Sequence, residues 1–423
     1  MDESQPIPSP SPDQEQSPCL STPAPERLVG DPRNEQVAPA APGEFSPLAI
    51  GPLRIWPPVV LAPMAGVTNR AFRKLCKDNG AGLCISEMIT ARGYRMGNEM
   101  SLLLASGGED EYPRSVQVYG SDPLDVGEMV RALVADGVHH IDMNFGCPVP
   151  KVTRNGGGSA IPVKPRLLAR LVRAAVASAG DVPVTIKVRK GIDEELQTYR
   201  NSGRVAQEEG AAAIALHGRT AAELYSGEAD WNAITDLKNS LDIPVLGNGD
   251  LWEGWDALRM MRETGCDGVV VGRGCLGRPW LFREMADLFD GTLPQSPPKW
   301  SEIVRIMEGH ARALMGVFGP ERGVFQMRKW CSWYTKGFHG SASIRGRLAR
   351  MRSLEDMLAV LAEVDGETPF PLHVLRVNRA KRNGTQRVKL PEGYLDDLED
   401  DTPPKSPHTP EELIAWEKAL SGG

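Results

Sequence analysis

The order of apolar and polar positions divides the chain into a repeating central part and two polar ends. In the central part, a short apolar or β-branched run ends in a glycine or polar residue and is followed by a stretch with apolar residues at three- and four-residue spacing. Each run predicts a buried strand and each following stretch a helix. The eight runs are VVLAP (59–63), LCISEM (83–88), RSVQVYG (114–120), HIDMNFGC (140–147), VPVTIKVR (182–189), AAIALHGR (212–219), IPVLGNGD (243–250) and DGVVVGRG (267–274).

Helical spacing is clearest in four of the intervening stretches. They are Asn69–Asp78, Pro123–Ala135, Pro165–Ala179 and Glu253–Thr264. Eight strands that alternate with helices predict an α/β fold of the (β/α)8 TIM-barrel type over residues 48–295. A doubly wound sheet would have difficulty using all eight strands.

The remaining parts of the chain have different patterns. After Pro297 and Pro298 only helical spacing follows, from about Ser301 to Val364, which predicts a separate helical domain over 298–365. Residues 1–47 contain eleven prolines among Ser, Gln and Glu, too little apolar matter to fold, so we predict a disordered tail. Residues 366–423 are polar again and predict a largely disordered C-terminal extension.

The composition is that of an ordinary soluble globular protein. Of 423 residues, 41% are hydrophobic and 24% are charged. The N-terminus lacks the pattern of a signal peptide, and no apolar run approaches the roughly 18 residues of a membrane span. The seven cysteines form no CxxC pair and no zinc or iron–sulfur spacing. We therefore predict a cytoplasmic, monomeric protein with reduced thiols, no membrane segment and no metal.

The distribution of charge matters more than the net charge of −7, which by itself argues against a nucleic-acid partner. Residues 322–352 contain eight Lys or Arg and no acid, whereas residues 391–401 contain six acids. Aromatic residues alternate with the basic ones around Lys329. The pattern favours a surface for RNA on the helical domain. A solvated charged face over an aromatic core is the alternative.

Residues capable of chemistry concentrate at the ends of the predicted strands. In a TIM barrel these ends form the rim where active sites lie. A GxGxxG match at 272–277 is weak support for a dinucleotide fold, because it follows the eighth strand rather than opening a βαβ unit. The strand-end residues are Met64, Glu87, Gln117, Asn144, Cys147, Lys187, His217, Asn248 and Arg273.

Seven segments in consecutive order resemble one enzyme family. They are LAPMAGVTNRAFR (61–73), QVYGSDP (117–123), DMNFGCP with KVTRNGGGSA (142–160), TIKVRKG (185–191), LHGRT (216–220), GNGD (247–250) and GRGCLGRPW (272–280). Together they resemble the tRNA-dihydrouridine synthases, in particular the bacterial B-type branch, strongly over 50–290 and more loosely over 300–360. The resemblance implies that the chain uses FMN, with NADPH or NADH as reductant, to reduce the C5=C6 bond of a uridine in tRNA.

Cys147 follows the fourth strand and precedes Pro148 in a glycine-rich loop. Hydride addition to C6 of uracil leaves an enolate, and C5 then needs a proton from a nearby acid. A thiol with a pKa near ~8.5 is mostly protonated at neutral pH and can supply it. The resemblance implies that Cys147 is this acid, on the face of the base opposite the flavin. Taken alone, a strand-end cysteine is more often structural.

The resemblance also implies a flavin site and a tRNA site. An ammonium at Lys187 can stabilise negative charge on reduced flavin or on the pyrimidine oxygens. Small residues after strands seven and eight leave backbone N–H groups free to face a phosphate. The flavin residues implied are Pro63, Met64, Ala65, Gln117, Lys187, His217, Asn248, Gly249, Asp250, Gly272 and Arg273. The tRNA residues implied are Asn144, Lys151, Arg154, Arg219, Lys329, Arg345 and Arg347.

Two other interpretations stay open. A flavin barrel acting on a free pyrimidine, as a dihydroorotate dehydrogenase does, would share the barrel, FMN and the C5–C6 chemistry but would not need the basic helical domain. An RNA-binding barrel without activity would require a broken site, whereas Cys147, Lys187, His217 and Arg273 are all present.

Overall fold

The computed structural model describes residues 28–108, 110–380 and 384–404. A short antiparallel hairpin comes first, formed by β1 (Leu48–Ile50) and β2 (Leu53–Ile55). Eight parallel strands then close into a barrel in which the last strand pairs with the first. They are β3 (Val59–Leu61), β4 (Leu83–Thr90), β5 (Ser115–Tyr119), β6 (His140–Phe145), β7 (Val184–Arg189), β8 (Ala213–His217), β9 (Val245–Asn248) and β10 (Gly268–Val271). The predicted TIM barrel is confirmed.

Helices surround the barrel and continue after it. Those of the barrel are α1 (Arg70–Asp78), α2 (Ala91–Arg95), α3 (Glu99–Ala105), α4 (Pro123–Ala135), α5 (Pro150–Thr153), α6 (Pro165–Ala179), α7 (Tyr199–Glu208), α8 (Trp231–Asn239), α9 (Gly254–Thr264) and α10 (Leu281–Phe289). Those that follow are α11 (Trp300–Phe318), α12 (Pro320–Tyr334), α13 (Ser341–Leu348) and α14 (Leu354–Leu361). Short 3₁₀ turns lie at Pro32–Asn34, Gly158–Val163, Arg273–Cys275 and Leu372–Val374. None of the helices in the described ranges is long and apolar enough to cross a membrane.

Local capping explains why the predicted helix boundaries agree with the structure. Asn69 accepts the Phe72 N–H at 3.2 Å before α1, and Asp122 accepts the Leu124 N–H at 2.8 Å before α4. These side chains satisfy backbone donors that have no partner inside the helix. Helix α9 ends at Gly265, whose φ of 69° suits a residue without a Cβ.

The hairpin closes the amino-terminal end of the barrel. Its side chains Leu48, Ile50, Leu53 and Ile55 are buried in one apolar cluster with inward-facing barrel residues such as Val60. The other end of the barrel stays free for a site. We did not predict this hairpin, because strands of three residues are too short to show an alternating pattern.

The predicted helical domain shares its core with the barrel. The ring of Phe72 on α1 lies 4.4 Å from that of Trp330 on α12, and both side chains are buried. His310 on α11 stacks on the same phenyl ring at 5.7 Å. Helices α11–α14 therefore belong to the continuous hydrophobic core, and the helical unit is held firmly over one side of the barrel.

Both ends of the chain extend the ordered structure beyond the predicted limits. The predicted N-terminal tail ran to residue 47, but residues 28–47 pack on the barrel, with Asn34 fully buried. Arg376, in the predicted C-terminal extension, contacts Asp31, Glu253 and Asp256 at 3.1, 2.6 and 2.9 Å. Ion pairs between distant segments order these ends, which a count of apolar residues cannot detect. Residues 1–27 and 405–423 lie outside the described residues.

Candidate functional site

A cavity of about 370 Å³ opens at the carboxyl-terminal end of the barrel. Every residue predicted for the flavin lines it, and Asn144 and Cys147 line it as well. A volume of this size suits a small molecule or cofactor. Seven of the eight barrel strands, or the loops that follow them, contribute at least one of these predicted residues. The remaining strand, β4, contributes Met88.

A relay of hydrogen bonds crosses the floor of the cavity. The Gln117 amide donates to Asp142 at 2.7 Å, and the Asn144 amide donates to the Gln117 oxygen at 2.8 Å. The Asn144 oxygen accepts the N–H groups of Gly146 at 3.2 Å and Cys147 at 3.0 Å. Because a carboxylate only accepts, Asp142 fixes the direction of every amide in the relay. The relay ends on the backbone of Cys147.

The Asp142 carboxylate also accepts a hydrogen bond from the neighbouring strand β7. Thr185 donates to its second oxygen at 2.6 Å, and the ring of His140 lies 3.0 Å from the Thr185 hydroxyl. Burial raises the pKa of Asp142 to about 6, against hydrogen bonds from Thr185 and Gln117 that lower it. Burial also lowers the pKa of His140 to about 3, so that ring is neutral at physiological pH. Charge on the floor of the cavity is therefore confined to Asp142.

The loop that carries Cys147 folds back on itself. The Ser159 N–H donates to the Cys147 carbonyl at 3.1 Å, and Gly158 has a φ of 55°. A Cβ at Gly158 would lie 2.5 Å from that carbonyl oxygen, so this turn requires glycine. The half-buried Cys147 faces the cavity, and burial raises its thiol pKa. The group is thus a protonated thiol at neutral pH.

Two basic side chains and one imidazole line the wall beside Cys147. The Lys187 ammonium donates to Asn248 at 2.8 Å, and burial lowers its pKa to about 7, helped by the charge of Arg189. Burial and the same cations lower the pKa of His217 well below its usual value. Arg189 donates to the Gly146 carbonyl at 3.0 Å. The wall offers hydrogen-bond donors and little negative charge.

Arg273 occupies the edge of the cavity between two aromatic rings. Its guanidinium lies 4.1 Å from the ring centre of Tyr225 and 5.2 Å from that of Trp252. Burial lowers its pKa to about 10. Within the described ranges no carboxylate forms an ion pair with it, since the nearby Asp250 pairs with Arg219 at 2.8 Å. A partly buried cation without a counter-ion is suited to bind an anion.

Lys329, predicted to contact tRNA, lies instead between α12 and the barrel. Its ammonium donates to the Gly66 carbonyl and to Gln326 at 2.9 Å. The Gly66 N–H donates to Glu87 at 2.6 Å, and burial raises the pKa of Glu87 to about 7. The loop after β3, which contains Met64, is therefore held from both sides. The prediction placed Lys329 on a surface because sequence does not show which face of α12 meets the barrel.

Other predicted tRNA residues also have partners inside the protein. Arg219 is buried and pairs with Asp250, so it faces inward rather than toward a macromolecule. Arg347 forms two bonds of 2.6 Å with Glu363, and Arg345 donates to Ser341 at 2.7 Å. Residues 322–352 contain no acid in sequence. In the folded protein, however, Glu363, which follows α14, lies beside Arg347.

Four basic residues of these two segments stay exposed. Lys151 and Arg154 are exposed on the loop after Cys147, and Arg350 and Arg352 are exposed after α13. Among the described residues, no acid forms an ion pair with any of these four side chains. These side chains are therefore open to a partner.

Two large aromatic residues of the basic run belong to the core, whereas Phe325 is exposed. Trp330 and Tyr334 are buried, with 0% and 1% exposure, so they cannot stack on bases. Trp333 differs, because it lines the cavity. The alternative interpretation, an aromatic core beneath charged residues, therefore describes Trp330 and Tyr334.

Sequence reasoning missed several residues of the site. Arg189, Tyr225 and Trp252 line the cavity, and Asp142 supports its floor. Arg189 follows Lys187 by two positions on the same strand, so both side chains lie on one face of the sheet, which was a usable signal. Tyr225 and Trp252 come from loops, whose path the sequence does not reveal. The described residues contain no cluster of three or more His, Cys, Asp or Glu that could hold a metal.

Comparison with known proteins places this geometry in context. The family profile described as Dihydrouridine synthase (Dus) matches residues 60–367. A protein of Mycobacterium tuberculosis (strain CDC 1551 / Oshkosh) named "Probable tRNA-dihydrouridine synthase" is 46% identical over 364 residues, which cover 84% of this chain and 93% of the relative. A Xanthomonas campestris protein named "tRNA-dihydrouridine synthase B" is 39% identical over 330 residues, which cover 77% of this chain and 99% of the relative.

Two solved structures show a distant likeness to this chain. The structure of morphinone reductase in complex with tetrahydroNAD is 13% identical, with a TM-score of 0.41, and the match covers 61% of this chain and 93% of that one. Histamine dehydrogenase from a Rhizobium species is also 13% identical, with a TM-score of 0.44, covering 77% and 66%. Likenesses this weak have no bearing on function.

Proposed function

The chain is an enzyme of the dihydrouridine synthase family, in the bacterial B-type branch, and on that premise we propose that it reduces the C5=C6 bond of uridine in tRNA with FMN as cofactor. The observation that carries the proposal is the position of Cys147, whose thiol faces a cavity lined by the donors Lys187 and His217 and by Arg273, a cation without a counter-ion among the described residues. This is the arrangement that addition of a proton to C5 requires.

The residues present fit FMN. Arg273 offers an unpaired charge at the edge of the cavity, next to the loops of Gly249 and Gly272, which suits a phosphate. The backbone at Met64 and the amide of Gln117 suit the polar edge of an isoalloxazine ring. When bound, FMN would relay hydride from NADPH or NADH to C6 of the uracil. Each of these roles is part of the proposal.

Cys147 supplies the proton. Once C6 has received hydride, the bond between sulfur and hydrogen breaks, C5 gains the proton, and a thiolate remains. The raised pKa of Cys147 keeps the proton available, and the nearby charge of Arg189 stabilises the thiolate until solvent returns a proton. The relay through Asn144 fixes the backbone from which the thiol projects.

Lys187 and His217 stabilise negative charge that forms during the reaction. With a pKa of about 7, Lys187 carries a positive charge part of the time and can take up a proton when an anion binds beside it. His217 is neutral, because burial holds its pKa well below the usual value, and its ring can donate one hydrogen bond without adding charge. Both side chains line the cavity and offer donors to an anion that forms there.

We propose the tRNA surface around the cavity mouth and the helical unit. Lys151 and Arg154 lie beside Cys147, close to the nucleotide to be reduced, and Arg350 and Arg352 extend the positive surface. Lysine and arginine without internal partners release counter-ions when they meet phosphates, which favours binding. Asn144 contributes indirectly through the loop of Cys147, and Arg345 and Arg347 could reach RNA only by exchanging their present partners.

The test is an assay with purified protein, an unmodified tRNA transcript and NADPH or NADH. We expect the protein to release FMN on heat denaturation and to form dihydrouridine, detected by nucleoside mass spectrometry, only when the reductant is present. The control is the same reaction with dihydroorotate and orotate in place of tRNA. Release of FAD or of no flavin, or turnover of the free pyrimidine instead of tRNA, would contradict the proposal.

A further inference from the structure

Residues 384–404 form a segment, here called the strap, that lies beyond the part of the chain matched by the family profile, residues 60–367. The strap runs along the side of the barrel where the cavity opens and contacts the loop of Cys147 at several points. The strap takes no part in the hydrogen-bond relay or in the proposed transfer of hydride and proton.

The first contact is made by Gln386. Its side-chain amide donates to the Pro148 carbonyl at 2.8 Å and to the Ala221 carbonyl at 3.0 Å, and its backbone N–H donates to Ala222 at 2.8 Å. Pro148 follows Cys147 directly, whereas Ala221 and Ala222 belong to the loop after β8. One glutamine thus joins two loops of the cavity rim from outside the barrel.

Arg189 joins the same two loops from inside. It donates to Gly146, directly before Cys147, and to Thr220 and Leu224 at 2.9 Å each. Cys147 therefore lies between two bridges, one from the barrel and one from the strap. Of the two, only Gln386 depends on the chain beyond the family match.

The second contact is an apolar cluster around Tyr394. This side chain is 6% exposed and packs with Ala160, Val163 and Ile192. Its hydroxyl donates to the Ala160 carbonyl at 3.2 Å, and the Lys164 ammonium lies 4.6 Å from its ring centre. The strap is thereby fixed to the far end of the loop of Cys147.

The third contact is a row of ion pairs with the start of α6. Lys164 pairs with Asp400 at 2.7 Å, and the next pairs lie at 2.6 and 3.3 Å. Those two pairs are Arg166 with Glu399 and Arg170 with Asp401. The acidic run that made the extension look disordered in sequence is here the partner of a basic helix face.

The loop also leaves no gap beneath the strap. Gly156 has a φ of 71°, and a Cβ there would lie 2.5 Å from Pro404. Contacts at Pro148, Gly156, Ala160 and Lys164 are spaced along the segment from Cys147 to the start of α6 and leave Lys151 and Arg154 exposed.

From these contacts we propose that the strap positions the loop of Cys147, with Gln386 as the positioning residue closest to the thiol. The inference rests on the proposed role of Cys147 as proton donor. Gln386 does not line the cavity, so it acts through the Pro148 carbonyl. Loss of its hydrogen bonds lets the loop move away from the geometry needed for proton transfer. Small displacements of a reacting group lower the reaction rate strongly.

The experiment compares Gln386→Ala with Thr385→Ala, an exposed neighbour, in the full chain. The first readout is alkylation of Cys147 by iodoacetamide, followed by peptide mass spectrometry. Two neutral hydrogen bonds favour the loop conformation of the structure, over one that exposes the thiol, by a factor of about 10. We therefore expect alkylation to be about tenfold faster in Gln386→Ala. Tyr394→Phe, which loses only a hydroxyl, should show a smaller change in the same direction.

The second readout is single-turnover oxidation of the reduced enzyme by tRNA, with tRNA affinity and reduction by NADPH measured separately. Gln386→Ala should lower the oxidation rate about tenfold and leave affinity and reduction unchanged. Thr385→Ala should match wild type throughout. Unchanged alkylation, or faster alkylation with an unchanged oxidation rate, overturns the proposal.

The same readouts separate this proposal from the proposed function. If wild type fails to oxidise with tRNA while Gln386→Ala still alkylates faster, the proposed function fails and the strap holds the loop without a role in that reaction. Loss of tRNA affinity in Gln386→Ala would assign the strap to binding and would also overturn the positioning role.

Discussion

Replacement of Asn144 by Asp tests the hydrogen-bond relay, because it removes the single donor that joins Gln117 to the loop of Cys147. In the variant, a carboxylate oxygen of the aspartate lies opposite the Gln117 oxygen, and both atoms are acceptors. If the Gln117 amide turns around, its oxygen then faces Asp142 instead. No orientation satisfies both ends while both carboxylates are ionised. The relay can be restored only when one of the two carboxyl groups takes up a proton and donates to Gln117, and Asp142, whose pKa burial already raises, is the readier of the two.

The cost of Asn144→Asp should therefore depend on pH. The pKa of Asp142 is already raised to about 6 by burial, so below that pH the required proton is present and the cost is small. Above about pH 6, each pH unit lowers the free energy of unfolding of the variant, relative to wild type, by about 1.4 kcal/mol, because the folded variant must hold one extra proton. Between about pH 6 and about pH 8 the variant should lose about 2 kcal/mol relative to wild type, close to the cost of one buried unsatisfied group.

The assay is urea unfolding of both proteins across this pH range. The matched control is Asn79→Asp, which also loses an amide donor, at 2.8 Å from the Leu75 carbonyl, but at a half-buried helix end where the neighbouring carboxylate, Asp78, is exposed and paired with Lys74. Its cost should be the same at both pH values. A cost for Asn144→Asp that does not change with pH would refute the proposed direction of the relay.

Three further predictions concern single groups. Burial raises the pKa of Glu87 from 4.5 to about 7, so wild-type stability should fall as pH rises through that window, and Glu87→Gln should abolish this part of the fall in urea midpoints. Arg273→Met should weaken FMN binding about 10- to 100-fold in fluorescence titration, whereas Arg200→Met, an exposed side chain paired on the surface, should not. Arg350→Ala combined with Arg352→Ala should weaken tRNA binding and reduce its salt slope by up to about 2, with flavin reduction unchanged; an unchanged slope would remove this surface from RNA binding.

The barrel and the cavity residues were predictable from sequence because local pattern determines them. Each barrel strand contains buried apolar residues in a short run, since parallel strands are covered on both faces. A polar residue at the end of such a run, such as Lys187 or Asn248, must lie at the carboxyl-terminal rim once the barrel closes. The same logic brought Cys147 to the cavity.

The parts that sequence missed depend on contacts between distant segments. Nothing local distinguishes Lys329, which bonds to Gly66 across the interface, from an exposed lysine such as Lys151. The strap has the polar, acidic composition of a disordered tail, yet its acids meet Lys164 and its neighbours on α6. A run of charged residues predicts disorder only where no surface of opposite charge lies within reach. Only the folded structure shows whether such a surface is present.

The most direct test of the central claim is the rate at which tRNA oxidises pre-reduced Cys147→Ala in a single turnover. The account predicts that this variant keeps FMN, tRNA affinity and reduction by NADPH, because none of these uses the thiol. Oxidation by tRNA should be about 10²–10⁴ times slower than in wild type, the usual contribution of a general acid. A variant that is oxidised as fast as wild type would show that Cys147 is structural and would contradict the account.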